Sequence, residues 1–151
     1  MLSVRPFSPA DRPFVLSLAP RLAIGMPPWR DRQLWLTAVE GWLSESIAQH
    51  GQKTFMFVAE DSSGVPLGFA TVSHSAHFTG QRQASIGELA THLDAEGRGV
   101  GRILVEACAQ WARDQGYELL ALTTGAANRR ALDFYHHLGF GDEDVTLIKQ
   151  L

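Results

Sequence analysis

The residues best able to do chemistry stand in two short stretches, Glu88–Arg102 and Asn128–Tyr135. In the first, Gly97, Gly99 and Gly101 alternate with Arg98, Val100 and Arg102, just ahead of a helical pattern that runs to about Gln115. Glycine tolerates positive φ and lets backbone approach a ligand closely. A helix start offers free N–H groups at the positive end of its dipole. Together these can hold an anion, phosphate above all, although the same glycines would also serve an ordinary tight turn. In the second stretch, Asn128 and Tyr135 lie about 20° out of register on a predicted helix, flanking an apolar stripe of Ala127, Ala131, Phe134 and Leu138. An amide can fix a polar chain, and a phenol can donate a proton to a leaving group.

Two common phosphate binders fail on spacing. A dinucleotide fingerprint starting at Gly97 needs glycine where Arg102 stands, and one starting at Gly99 needs it at Leu104. A Walker loop needs Gly-Lys-Ser/Thr, which the chain lacks. A different pyrophosphate ligand is expected. His74 and His77 have a spacing that a metal could use, but read as solvated residues at a strand end. No metal is expected. Trp29 and Trp35 could line a pocket, yet the aromatic stripe they adjoin reads as core. The single cysteine, Cys108, excludes a disulfide framework within the chain and falls on a predicted buried helix face, against a covalent acyl-cysteine route.

The elements that must position these residues follow from pattern. The chain has 151 residues and a net charge of −3, which suits one domain with a real core and argues against bulk nucleic acid or an anionic membrane as partner. The N-terminus has no signal-peptide pattern and no apolar run is long enough to span a bilayer, so the cytoplasm is the expected compartment. Leu2–Arg5 reads as a strand, a helix starts near Ser8–Asp11, and a second runs from about Asp31 to Gly51. On that second helix Leu34, Trp35, Ala38, Val39, Trp42, Leu43 and Ile47 form the expected buried stripe. Thr54–Ala59, Leu67–Val72 and a segment from about Ala84 read as strands in successive hairpins, hence antiparallel. A helix, the short apolar strand Leu119–Leu122 and a helix from about Ala126 to His137 follow, with Val145–Ile148 as a last strand.

Glu96-Gly97-Arg98-Gly99-Val100-Gly101-Arg102-Ile103-Leu104 resembles the acyl-CoA pyrophosphate loop of the GNAT superfamily of N-acetyltransferases. Asn128-Arg129-Arg130-Ala131-Leu132-Asp133-Phe134-Tyr135, with Leu138-Gly139-Phe140, is similar to the same family's downstream segment. The family's loop usually begins with glutamine or arginine where this chain has Glu96, and often has proline where it has Leu93. The resemblance covers essentially the whole chain. It implies one α/β domain over residues 1–151: a mixed sheet, antiparallel in its N-terminal part with a parallel central pair, flanked by about four helices.

For function, the resemblance implies acetyl transfer from acetyl-CoA to a primary amine of a small molecule or peptide, by direct attack in a ternary complex. Backbone groups at Leu89 and Thr91 would bond the pantetheine arm, and those of Gly97, Arg98, Gly99, Val100, Gly101 and Arg102 the pyrophosphate. Asn128 would meet the pantetheine or a bridging water, and Tyr135 would be the acid for the departing thiolate. Glu88 is the expected base, with His92 as the alternative. Period-two alternation puts Glu88, Ala90 and His92 on one strand face unless a bulge intervenes, and Gly87 could mark one. A non-catalytic acyl-CoA-binding module and an enzyme for another acyl group are the competing functions. Family members often dimerise, so a homodimer stands as an open alternative.

Overall fold

The computed structural model describes all 151 residues. One sheet carries the chain: β1 (Ser3–Pro6), β2 (Thr54–Glu60), β3 (Pro66–Ala76), β4 (Arg82–Thr91) and β5 (Leu120–Leu122) lie side by side in sequence order. The first four pair antiparallel, and β4 pairs parallel with β5, as the hairpin signals and the apolar Leu119–Leu122 run predict. Between β1 and β2 come α1 (Arg12–Ser17) and α2 (Arg32–Gln49). α3 (Val100–Asp114) crosses from β4 to β5, and α4 (Arg129–His137) follows β5. Short 3₁₀ turns at Pro9–Asp11, Ala19–Ala23 and Leu93–Ala95 complete the connections.

Period-two alternation divides the apolar residues between two cores. Phe55, Phe57, Ala70, Val72, Ala84 and Ile86 pack toward α3, against Val100, Leu104, Val105 and Cys108. Met56, Val58, Phe69 and Ala90 pack toward α1 and α2, against Val15, Val39 and Leu43. In β4 the phase changes: Ala84 and Ile86 belong to the α3 side, Ala90 to the α2 side. Two even-numbered sets on opposite faces require an inserted residue. The register shows it, for Ala70 pairs with Leu89 but Val72 pairs with Ile86, so Gly87 and Glu88 together face Thr71. A Cβ on Gly87 would stand 2.9 Å from Thr71 Oγ1, so the bulge needs a glycine there.

The structure corrects three expectations. Val145–Ile148 is not a strand: nothing after His137 is helical or extended in a ladder, and Val145 and Leu147 are exposed. Three acidic residues, Asp142 to Asp144, precede it, and Asp142 bonds His136 Nε2 at the end of α4. On α2 the inward stripe is Trp35, Val39, Leu43 and Ile47, whereas Leu34, Ala38 and Trp42 face outward. The apolar set is wider than the contact the helix makes. The last helix starts at Arg129, not Ala126, because Asn128 Oδ1 accepts from Ala131 N–H and caps it.

Candidate active site at the β4 bulge

β4 and β5 stay paired only from Ala84–Leu120 to Ile86–Leu122. The bulge comes next, and β4 then runs on to Thr91 beside β3 alone. The two parallel strands therefore part at Gly87–Glu88. His92 N–H donates to Leu67 O at 2.7 Å, so by antiparallel alternation the backbone polar groups of Leu89 and Thr91 turn away from β3, toward the gap. Arg21 Nε reaches Thr91 O from that side, at 3.1 Å.

At the end of β4 the chain makes the 3₁₀ turn and enters the glycine loop. Gly97 (φ 76°) and Gly99 (φ 84°) both occupy the left-handed region, and a Cβ on either would meet nothing within 4 Å. Gly99 caps α3. The first intrahelical bond is Ile103 N–H to Gly99 O at 3.2 Å, which leaves the N–H groups of Val100, Gly101 and Arg102 without helical partners. Open space in front of unsatisfied donors at a helix start fits a diphosphate. Gly101 has a different duty, since a Cβ there would lie 3.1 Å from Phe134 Cζ; it lets α4 pack on α3.

Glu88 stands on the α2 side of the sheet, opposite the α3 core. It is 9% exposed, and its carboxylate accepts from Thr71 Oγ1 and from Ser46 Oγ at 3.2 and 3.3 Å. Its own N–H donates to Thr71 Oγ1 at 2.9 Å, so one threonine ties both ends of the residue. Burial pushes the carboxyl above its ordinary range, the two hydroxyls pull it back, and the Glu45 carboxylate adds to the rise. A cleft of ≈ 320 Å³ opens beside Glu88 between α2 and the sheet, walled by Trp42, Glu45, Ser46 and Gln49 of α2 and by Lys53 and Ser73. A helix face turned toward a sheet is normally apolar. Val39, Leu43 and Ile47 keep to that on α2, and the cleft is lined by the flank beside them, where Glu45, Ser46 and Gln49 are polar, which suits a small hydrophilic ligand.

Tyr135 packs on the α3 side of the sheet, edge-on to Phe134 and Phe140. Burial, with Cys108 nearby, raises its phenol to about 12. Its hydroxyl makes no bond within the chain, yet no fully buried side-chain polar atom lacks a partner, so that hydroxyl keeps access to solvent or ligand. Burial likewise raises the Cys108 thiol to about 12, which leaves it inert as a nucleophile.

Other candidates are engaged elsewhere. His92 lies past the end of β4, and its Nδ1 accepts from Asp94 N–H at 3.2 Å as the cap of the 3₁₀ turn. His74 stands at the rim of the Glu88 cleft, where its Nδ1 bonds the Tyr117 hydroxyl beside Trp111, and His77 Nδ1 lies 2.8 Å from Thr79 Oγ1. No group of metal-ligating side chains forms. Asn128 Nδ2 lies 3.4 Å from Ile24 O, and Gly25 packs directly on its backbone, so this residue joins α4 to the segment before α2. Trp35 is core, its Nε1 reaching Leu22 O at 3.4 Å, while Trp29 is exposed. Sequence reasoning missed the Trp42–Glu45–Gln49 wall, and only the run of polar residues at helical spacing beyond Leu43 could have signalled it.

The comparisons with known proteins agree with this geometry. A family model described as the acetyltransferase (GNAT) family matches residues 16–140. The chain belongs to the GNAT family. An uncharacterized N-acetyltransferase of Methanocaldococcus jannaschii is 31% identical over 106 residues, which are 69% of this GNAT chain and 46% of that protein. An L-methionine sulfoximine/L-methionine sulfone acetyltransferase of Pseudomonas paraeruginosa is 26% identical over 91% of this chain and 79% of its own length. The chain thus spans less than half of the archaeal relative. Among solved structures, an aminoglycoside N-acetyltransferase in complex with CoA superposes with a TM-score of 0.74 at 19% identity, covering 100% of this chain and 95% of that one, a likeness of fold. No helix of the GNAT chain is long and apolar enough to cross a membrane.

Proposed function

We propose that residues 1–151 act as one acetyl-CoA-dependent N-acetyltransferase domain whose acceptor is a small polar amine, free or at the end of a peptide, bound in the Glu88 cleft. One observation carries this reading. β4 leaves β5 at the residue that presents a buried carboxylate, its pKa raised by burial, to a polar cleft, and the same strand leads directly into an open loop of free N–H donors. Donor and acceptor sites would then meet at the bulge. The names of the Pseudomonas relative and of the CoA-bound structure support a small amine as acceptor.

Acetyl-CoA supplies the activated acyl thioester. The loop from Gly97 to Arg102 holds its diphosphate, with Arg98 and Arg102 flanking the nucleotide end, and the outward backbone groups of Leu89 and Thr91 hold its pantetheine arm. Asn128, which keeps the start of α4 against the Ile24–Gly25 segment, meets the pantetheine arm or a bridging water. Glu88 takes the proton from the bound ammonium, which frees a lone pair to attack; its raised pKa matches that task better than an ordinary carboxylate. Tyr135 faces the departing sulfur. A phenol near 12 is a weaker acid than a thiol of about 8.5, so full proton transfer from it is uphill; Tyr135 stabilises the thiolate by donating a hydrogen bond, and the thiolate takes up the second proton, shed by the newly acylated nitrogen.

Calorimetric titration with acetyl-CoA tests the donor site. Wild type should bind, and Gly99→Val should abolish binding while circular dichroism shows a folded chain. A screen of amino acids, aminoglycosides and short peptides with thiol detection then tests the acceptor. Tyr135→Phe should lower kcat by about tenfold with little change in KM for acetyl-CoA. Binding without thiol release from any amine would favour a non-catalytic acyl-CoA module instead.

A further inference from the structure

Glu96, at the loop's first position, does not face the loop as a free charge. Its two carboxylate oxygens are taken by two different guanidiniums: Oε1 by Arg21 Nη2, and Oε2 by Arg130 Nη1 at 2.9 Å. The partners come from the 3₁₀ turn before α2 and from the first turn of α4, 75 and 34 residues away in sequence. Arg21 is fixed further by the bond from its Nε to Thr91 O, at the end of β4. Its side chain is 22% exposed, against 75% for Arg130. One guanidinium is therefore tied to the backbone as well as to Glu96, and the other to Glu96 alone. The two arginines hold the Glu96 carboxyl below its usual range.

Two guanidiniums converging on one oxyanion make an anion site, because each offers a planar fork of donors that matches carboxylate and phosphate alike. Glu96 immediately precedes Gly97, so this carboxylate sits where the glycine loop begins. We infer that Arg21 and Arg130 form a diphosphate-binding subsite at the mouth of the loop, occupied by Glu96 in the free protein and by the donor nucleotide in the complex. Two cations against one carboxylate leave a net positive charge, so the mouth attracts polyanions even while Glu96 is engaged. Entry of a diphosphate exchanges one oxyanion for another, with no guanidinium left unpaired in either state. Glu96 then acts as a built-in competitor that lowers donor and product affinity together. A glutamine in its place would leave both arginines to the ligand.

This inference rests on the donor-site reading and deepens it. The test is calorimetric titration with CoA and with 3′-dephospho-CoA, for wild type, Glu96→Gln, Arg130→Gln and Arg21→Gln, with thermal melts alongside. Glu96→Gln should tighten both nucleotides by about tenfold and Arg130→Gln should weaken both by a similar factor. Arg21→Gln should weaken them at least as much; if it lowers the melting temperature, the exposed Arg130 decides alone. Unchanged or weaker binding by Glu96→Gln overturns the subsite, and so does an Arg130→Gln penalty that vanishes with dephospho-CoA, which would put that arginine on the 3′-phosphate. Wild type that binds neither nucleotide removes the donor-site reading and the subsite with it. Binding that is lost in Gly99→Val yet indifferent to Glu96 and Arg130 removes the subsite alone.

Discussion

Asp11 and Glu88 are both buried carboxylates, at 4% and 9% exposure, and their surroundings push them in opposite directions. Asp11 lies where β1 turns into α1. It accepts from Arg5 Nη1 and Nη2 at 2.7 and 2.9 Å and from Ser8 N–H at 2.8 Å, and Arg5 goes on to Glu60 at 2.7 Å. The Arg5 guanidinium holds the Asp11 carboxyl below the usual carboxylate range. Glu88, at the β4 bulge, is given only hydroxyls, and burial lifts it. A carboxylate matched with a guanidinium is fixed as a charge and joins elements. One matched only with hydroxyls keeps an exchangeable proton, and that is what proton transfer needs.

The two sites also carry opposite linkage to pH. Asp11 has a depressed folded value, so its stabilisation is present above the unfolded carboxyl pKa and is lost as pH falls through the folded one. Glu88 has a raised folded value. Its contribution is present below the unfolded pKa and is lost as pH rises through the folded one, so at neutral pH it is kept at a cost to stability.

Glu88→Gln puts the largest strain on this contrast. With the base gone, kcat/KM should fall by about two to three orders of magnitude, while the melting temperature at neutral pH holds or rises. A variant that keeps its activity would end the assignment of Glu88 as base. A variant that unfolds would mean the carboxylate was structural after all. Asp11→Asn should do the reverse. Losing the charge-assisted bonds to Arg5 should cost about 2 kcal/mol in urea unfolding, because Arg5 is partly open to water and retains Glu60. Activity per folded molecule should not change. A loss of activity exceeding the loss of folded protein would blur the distinction.

Much of this was legible in local pattern. The glycine loop, the strand–helix alternation and the bulge at Gly87 all follow from residues read within a few positions of one another. The parallel pairing of β4 with β5 follows from the short apolar run after a crossover helix, although the burial that run suggests is not reached: β5 is an edge strand and only half-buried. What pattern could not give were the long-range pairings. Glu96 looks like an unfavourable charge until Arg21 and Arg130 arrive from distant parts of the chain. Trp42 looks like core until α2 rotates Val39 and Leu43 inward and leaves Trp42 on the wall of the cleft. Val145–Ile148 has the composition of a strand but no partner strand, and composition cannot supply one.

Finer tests act on the surroundings of Glu88 and predict opposite signs. Thr71→Val removes the hydroxyl that stabilises the Glu88 carboxylate, so the acidic limb of the kcat/KM–pH profile should move to higher pH, with a few-fold loss of activity near neutrality. The bulge also loses the acceptor for Glu88 N–H, at about 1 kcal/mol of stability. Glu45→Gln should give the smallest effect. The Glu45 carboxylate raises the Glu88 pKa through charge alone, across an exposed cleft, so removing it should move the acidic limb to lower pH. That shift should be visible at low ionic strength and largely gone near 1 M salt, where screening acts within about 3 Å. If both variants move the limb the same way, or the Glu45 shift ignores salt, the titrating group is not the carboxylate at the bulge.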